Sequence, residues 1–106
     1  MIATTKQTDR RVAVIKALAH PTRLRIAQIV AGGESCVCEI HAEVGGDFST
    51  VSKHLALMRE AGWLASEKRG LKMFYRLSCD CLDDFLRCVD VLAGTGGRDQ
   101  SHSKCC

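Results

Sequence analysis

Proline occurs once in this chain, aromatic residues only five times, and no apolar run approaches the ~20 residues that a bilayer-spanning helix needs. So few aromatics leave the interior to Leu, Ala, Val and Ile, which points to a mainly α-helical, aliphatic core. The opening segment, Met1 to Arg11, contains no apolar stretch of the kind that directs secretion. A reducing compartment, the cytoplasm, is therefore expected, with no membrane association. In that setting seven cysteines read as metal ligands or redox thiols rather than as a disulfide scaffold. Cys-X-X-Cys, HExxH and glycine-rich phosphate loops are all missing, so catalysis has no visible apparatus and an enzyme is not expected.

What is present fits one compact domain over residues 1–93, followed by a Gly/Ser-rich, Cys-ended tail over 94–106 that the composition predicts to be flexible. Charge is unevenly spread. Residues 1–77 hold 12 Lys/Arg against 7 Asp/Glu, net +5, whereas residues 78–106 hold 3 against 5, net −2. The basic part is the candidate for a phosphate-facing surface.

A helix is expected from about Thr8 to Ala19. Its apolar positions leave so little polar side that it should touch a partner as well as its own core. Pro21 suits the first turn of a second helix, which Gly32-Gly33 ends. A short third helix is read from about Ser35 to Val44, closed by Gly45-Gly46, and Asp47 or Ser49 can cap a fourth that runs to Glu60. Two short helices joined by a tight glycine turn are the helix-turn-helix layout. Residues 64–77 then form two strand-like runs about Arg69-Gly70, a β-hairpin. From Asp80 to about Ala93, Leu82, Phe85, Leu86, Val89 and Leu92 recur as the stripe of a final amphipathic helix.

On the fourth helix Val51, Leu55 and Met58 share the core face, and Ser49, Lys53 and Ala56 face outward. Small, hydroxyl and basic side chains on an exposed face let a helix enter a major groove. The candidate DNA-binding set is Ser49, Thr50, Ser52, Lys53 and Arg59 from this helix, with Lys68, Arg69 and Lys72 from the hairpin tip, where a wing meets backbone phosphates. His54 falls at the edge of the buried stripe and reads as a packing or hydrogen-bonding residue first.

Three segments stand in a familiar order: Ala19-His20-Pro21-Thr22-Arg23-Leu24-Arg25-Ile26, Cys36-Val37-Cys38-Glu39-Ile40, and Ser49-Thr50-Val51-Ser52-Lys53-His54-Leu55. From about residue 10 to 93 the chain resembles the ArsR/SmtB metalloregulators. That resemblance implies a winged helix-turn-helix, homodimeric through its first and last helices. It also implies a repressor that binds double-stranded operator DNA of a resistance or efflux operon and leaves it when a metal or metalloid binds.

Cys36-Val37-Cys38 matches that family's thiolate motif, which usually continues with a third cysteine three residues on; here that position is His41. Arsenite, As(III), favours three thiolates, whereas Cd(II), Pb(II) or Zn(II) accept four ligands including imidazole, and Hg(II) is a further thiophilic alternative. On a regular helix Cys36 and Cys38 lie about 200° apart, so joint ligation would have to unwind the first turn, directly ahead of the DNA-reading helix. The alternative is that both are small packing residues.

Cys79 and Cys81 open the last helix at positions resembling the first half of a second family site, whose other half falls on Leu92 and Thr95, which cannot replace it. Cys81 and Cys88 lie seven residues apart, close in helical phase, and could pair with Cys79, meet a partner subunit, or simply pack. Cys105 and Cys106 end the tail and can chelate a soft ion, supply a third ligand, or be incidental. With arsenite as the leading inducer, the competing readings are a Cd/Pb/Zn/Hg sensor, a thiol redox or persulfide sensor on the same fold, and a metal carrier that needs no recognition helix.

Overall fold

A computed structural model describes residues 5–94; the first four residues and 95–106, with Thr95, Cys105 and Cys106, lie outside the described residues. Five helices and a small sheet follow in the order α1 (Thr5–Lys16), α2 (Pro21–Ala31), β1 (Ser35–Cys36), α3 (Val37–Val44), α4 (Phe48–Ala61), β2 (Leu64–Arg69), β3 (Lys72–Leu77) and α5 (Leu82–Ala93). This is a winged helix-turn-helix: α3 and α4 form the helix pair and β2–β3 the wing.

The first helix stops at Lys16 rather than Ala19. Beyond it the chain tightens, the Leu18 and Ala19 N–H groups donating to carbonyls only three residues back, Ile15 and Lys16, at 3.0 Å. The residue before a proline is then pushed out of the helical region, and His20 is extended, at φ −160° and ψ 135°. Its Nδ1 accepts the Thr22 N–H at 3.0 Å and caps α2. Between α3 and α4, Gly45 and Gly46 take φ of 74° and 78°, a pair of positive-φ residues that glycine adopts at little cost. At the wing tip Gly70 has φ 63° and stands first in the two-residue turn, the place where a II′ hairpin requires glycine.

The third helix differs from its expected form. Ser35 and Cys36 are not helical: they make a two-residue strand on the outer side of β3, pairing with Tyr75 and Phe74, so the sheet order is β1-β3-β2. Cys36 is the extended residue that precedes α3, and the Glu39 carboxylate accepts its backbone N–H at 2.9 Å. Cys36 and Cys38 are therefore not related by helical phase, since only Cys38 lies on the helix. The last helix likewise begins at Leu82 instead of Asp80, with Cys81 at its cap.

The core gathers Leu18, Ile26, Ala27, Val30, Ile40, Val51, Leu55, Met58, Leu64, Tyr75 and Leu82, drawn from every element except α1 and β1. No residue of α1 is buried. It is held instead where Trp63 Nε1 donates to the Val14 carbonyl at 2.8 Å, while the same indole lies 5.9 Å from Phe85 on α5. The apolar stripe of α5 starts in the core at Leu82 and ends in solvent, Leu92 being 82% exposed. Val12 and Ile15 on α1 are exposed in the same way.

Candidate nucleic-acid interface and thiol site

The buried face of α4 is Val51, Leu55 and Met58, which turns Ser49, Thr50 and Lys53 to solvent and leaves Ser52 half-exposed. Asp47 stands at the head of this helix. Its carboxylate accepts from Ser49 Oγ at 2.6 Å and from Thr50 Oγ1 at 3.3 Å. The Ser49 hydroxyl is the main reason the Asp47 carboxyl is held below the usual aspartate range. Two of the hydroxyls expected to meet bases or phosphates are thus already engaged in the N-terminal turn.

Arg59 departs from the group. Six residues beyond Lys53, it lies about 120° round the helix, and its Nη1 is 3.4 Å from Ser66 Oγ on β2. Lys68, Arg69 and Lys72 are all exposed on the wing, but they are not alike. Arg69 donates to Glu34 at 3.0 and 2.8 Å and to Glu67 at 2.9 Å, and its guanidinium stacks 4.7 Å above Phe74. Those carboxylates hold its proton more tightly than usual. Lys68 and Lys72 form no ion pair among the described residues, and they remain the cations offered at the tip. Glu34 carries no local sequence signal for its part, since it meets Arg69 across 35 residues.

Behind its exposed face, α4 is keyed to α2. Arg23 Nη1 donates to His54 Nδ1 at 3.2 Å, and the His54 and His20 rings are 4.6 Å apart. Burial, then His20 and Arg23, lower the pKa of His54. An unfolded His54 thus takes a proton more readily than the folded one. Its neutral form contributes stability that is complete above the ordinary histidine pKa and drains away as pH falls through the lowered folded value. The thermal midpoint should therefore drop more steeply on acidification from about pH 7 to about pH 5 in the natural chain than in His54→Gln. Equal slopes in melts followed by circular dichroism would mean that His54 does not contribute to this dependence.

Cys36 and Cys38 carry free thiols, the first buried and the second exposed. Both line one cleft of ≈ 320 Å³, bounded by Val37 on α3, Phe48 and Ser52 on α4, and Leu71, Lys72, Met73 and Tyr75 on the wing. Two soft sulfurs on one wall can hold a thiophilic ion. His41 is not placed as a third ligand here: its Nε2 lies 2.9 Å from the Gly46 carbonyl and its ring meets Phe48 edge-on at 5.3 Å. Among the described residues no group of three or more His, Cys, Asp or Glu side chains is arranged to hold a metal ion.

The other thiols are elsewhere. The sulfurs of Cys79 and Cys81 are bonded to each other in the turn before α5, and the Cys81 N–H points at Cys79 Sγ at 3.4 Å. Cys88 is half-buried and is also engaged. Among the described residues no helix is long and apolar enough to cross a membrane.

Residues 20–66, which cover α2 through the start of the wing, match the family model described as bacterial regulatory protein, arsR family. The HTH-type transcriptional regulator MJ1325 of Methanocaldococcus jannaschii is 33% identical over 85 residues, covering 79% of this chain and 96% of that one. The arsenical resistance operon repressor of Escherichia coli K12 is 41% identical over 66 residues, 61% of this chain and 56% of the repressor. Among solved structures, the homodimeric winged helix-turn-helix DNA-binding domain of Mb0332 from Mycobacterium bovis superposes with a TM-score of 0.75 at 26% identity, covering 87% of this chain and 88% of that one.

Proposed function

The chain belongs to the ArsR family of bacterial regulatory proteins, DNA-binding transcriptional regulators and not enzymes, and from that premise we propose a cytoplasmic repressor that is released from operator DNA when trivalent arsenic binds Cys36 and Cys38. The observation that carries this reading is the shared cleft. Its walls are the start of α3, the N-terminal half of the recognition helix α4 and the inner wing strand β3. A ligand held by the two thiols would sit among the parts that grip DNA. Ser52 and Lys72, both candidate DNA contacts, line the same space. Filling it favours whichever spacing of α4 and wing admits the ligand, and a difference of about 1–3 kcal/mol between DNA-competent and ligand-competent arrangements suffices for a switch.

The repressor is taken to act as a homodimer on double-stranded DNA. Val12 and Ile15 on α1, with Val89, Val91 and Leu92 on α5, are large apolar side chains left exposed on the single chain. Such surface normally marks an interface. Cd(II), Pb(II) and Zn(II) are less well served, because they seek four donors and the nearby imidazole is turned to Gly46.

The test is a gel shift on DNA from immediately upstream of the protein's own coding sequence. Arsenite should release the natural chain, and Cys36→Ser with Cys38→Ser should bind that DNA equally well but need at least about tenfold more arsenite for release. Release at an unchanged concentration would make the thiol assignment wrong. A second reading has its own observation, the bonded pair Cys79 and Cys81: an oxidant-responsive regulator on the same fold. The same assay with a thiol oxidant in place of arsenite separates the two, since an oxidative release lost in Cys79→Ser with Cys81→Ser belongs to that pair.

A further inference from the structure

Resting on the reading of Cys36 and Cys38 as the arsenic site, the structure assigns that site a narrower ligand class, which we propose to be mono-organyl arsenic(III), R–As(OH)₂ with an aryl or alkyl R, in preference to inorganic arsenite. Three features converge on it. The described residues bring two thiols to the cleft and no third thiol: the one other sulfur is the Met73 thioether, which has no proton to exchange for an As–O bond, His41 is turned to the Gly46 carbonyl, and Ser52 and Lys72 offer only a hydroxyl and an ammonium. The space beside the thiols is apolar and partly aromatic, walled by Val37, Phe48, Leu71, Met73 and Tyr75. Its volume of ≈ 320 Å³ falls at the small end of the range for small-molecule sites, about 300–1,000 Å³.

Arsenic valence then makes the distinction. Inorganic As(OH)₃ has three exchangeable hydroxyls; two thiols replace two of them and leave the third, a polar group, in a space whose walls are mostly apolar, which costs free energy wherever it does not reach Ser52 or Lys72. R–As(OH)₂ has only two. Cys36 and Cys38 replace both: two As–O bonds break, two As–S bonds form, and each thiol proton departs on a hydroxyl as water. The As–C bond stays intact, arsenic remains trivalent and nothing is oxidised. The group R takes the place of the third hydroxyl and lies where Phe48, Met73 and Tyr75 can cover it, as aromatic and thioether surfaces cover an aryl ring. Phe48, about half exposed, is the side chain with room to close over R.

The experiment titrates the full-length reduced chain with phenylarsonous acid and, separately, with sodium arsenite, by calorimetry and by release from the upstream DNA. Phenylarsonous acid should bind at least about tenfold more tightly than arsenite, a factor that burying part of one aromatic ring supplies. Phe48→Ala should shrink that ratio while leaving the arsenite constant nearly unmoved. Arsenic K-edge absorption of the phenyl-loaded protein should show two sulfurs and one carbon. Arsenite binding as tightly as the phenyl compound, or three sulfurs around arsenite in the full chain, would overturn this inference and leave the thiol assignment standing. If Cys36→Ser with Cys38→Ser binds both compounds unchanged, the thiol assignment itself falls.

Discussion

Replacing Leu55 with alanine should lower the unfolding free energy by about 3 kcal/mol, within the range of about 2–5 kcal/mol for emptying a buried leucine site. Leu55 is wholly buried between Val51 and Met58 on the core face of α4. The rest of its cluster is drawn from α2, α3, β2, β3 and α5 as well, so a void there has no single flexible wall to collapse onto it. For a domain of this size, total stability is about 5–15 kcal/mol, and the thermal midpoint should fall by on the order of 15 °C. DNA binding should be lost along the same lowered thermal curve, although no side chain on the exposed face of α4 has changed. Urea denaturation checks the figure, with Leu71→Ala as its counterpart: Leu71 is 100% exposed at the wing tip, and its loss should stay within about 0.5 kcal/mol. A destabilisation at Leu55 no greater than at Leu71 would mean that α4 is not anchored as described.

The second large effect concerns DNA. Lys53 on α4 and Lys68 and Lys72 on the wing are exposed cations that form no ion pair among the described residues. Changing all three to glutamine should weaken operator binding by about one to two orders of magnitude at moderate salt. It should also flatten the plot of log affinity against log salt by about 0.9 for each phosphate left without its lysine. Arg69→Gln should do far less to that slope, because Glu34 and Glu67 already neutralise its charge. If Arg69→Gln alone removed as much of the slope as the triple change, the guanidinium would have to leave both carboxylates on the DNA, and the division made between these cations would be wrong.

The contrast between Arg69 and its neighbours shows where sequence reading stops. Periodicity locates the core face of α4 and the stripe of α5, because each depends on residues three and four apart. Glycine placement locates the turn between α3 and α4 and the wing tip for an equally local reason. Glu34 reaching Arg69, and Ser35-Cys36 pairing with Tyr75 and Phe74, are contacts across 35 to 40 residues that no local pattern announces. For that reason Cys36 looks helical in the sequence and is not. Two residues are too few to show strand alternation, and they adjoin a helical run into which they merge. The thiol pair itself is legible as a motif, whereas the cleft is not, since Phe48, Met73 and Tyr75 come to Cys38 only through the fold. Pro21 does carry a signal for the start of α2, because its constraint on His20 follows from the chain alone.

The short strand β1 has one more consequence. Because Cys36 is paired directly to Phe74, the cysteine and the wing are neighbouring rungs of one ladder, separated only by the ~4.8 Å between adjacent strands. A tug on Cys36 cannot be absorbed by a slack loop before it reaches the wing, for there is none in between. On the proposed reading, a signal from Cys36 to the wing would have almost no distance to travel in a domain this small, and its fidelity would rest on two residue pairings rather than on a relay through the core.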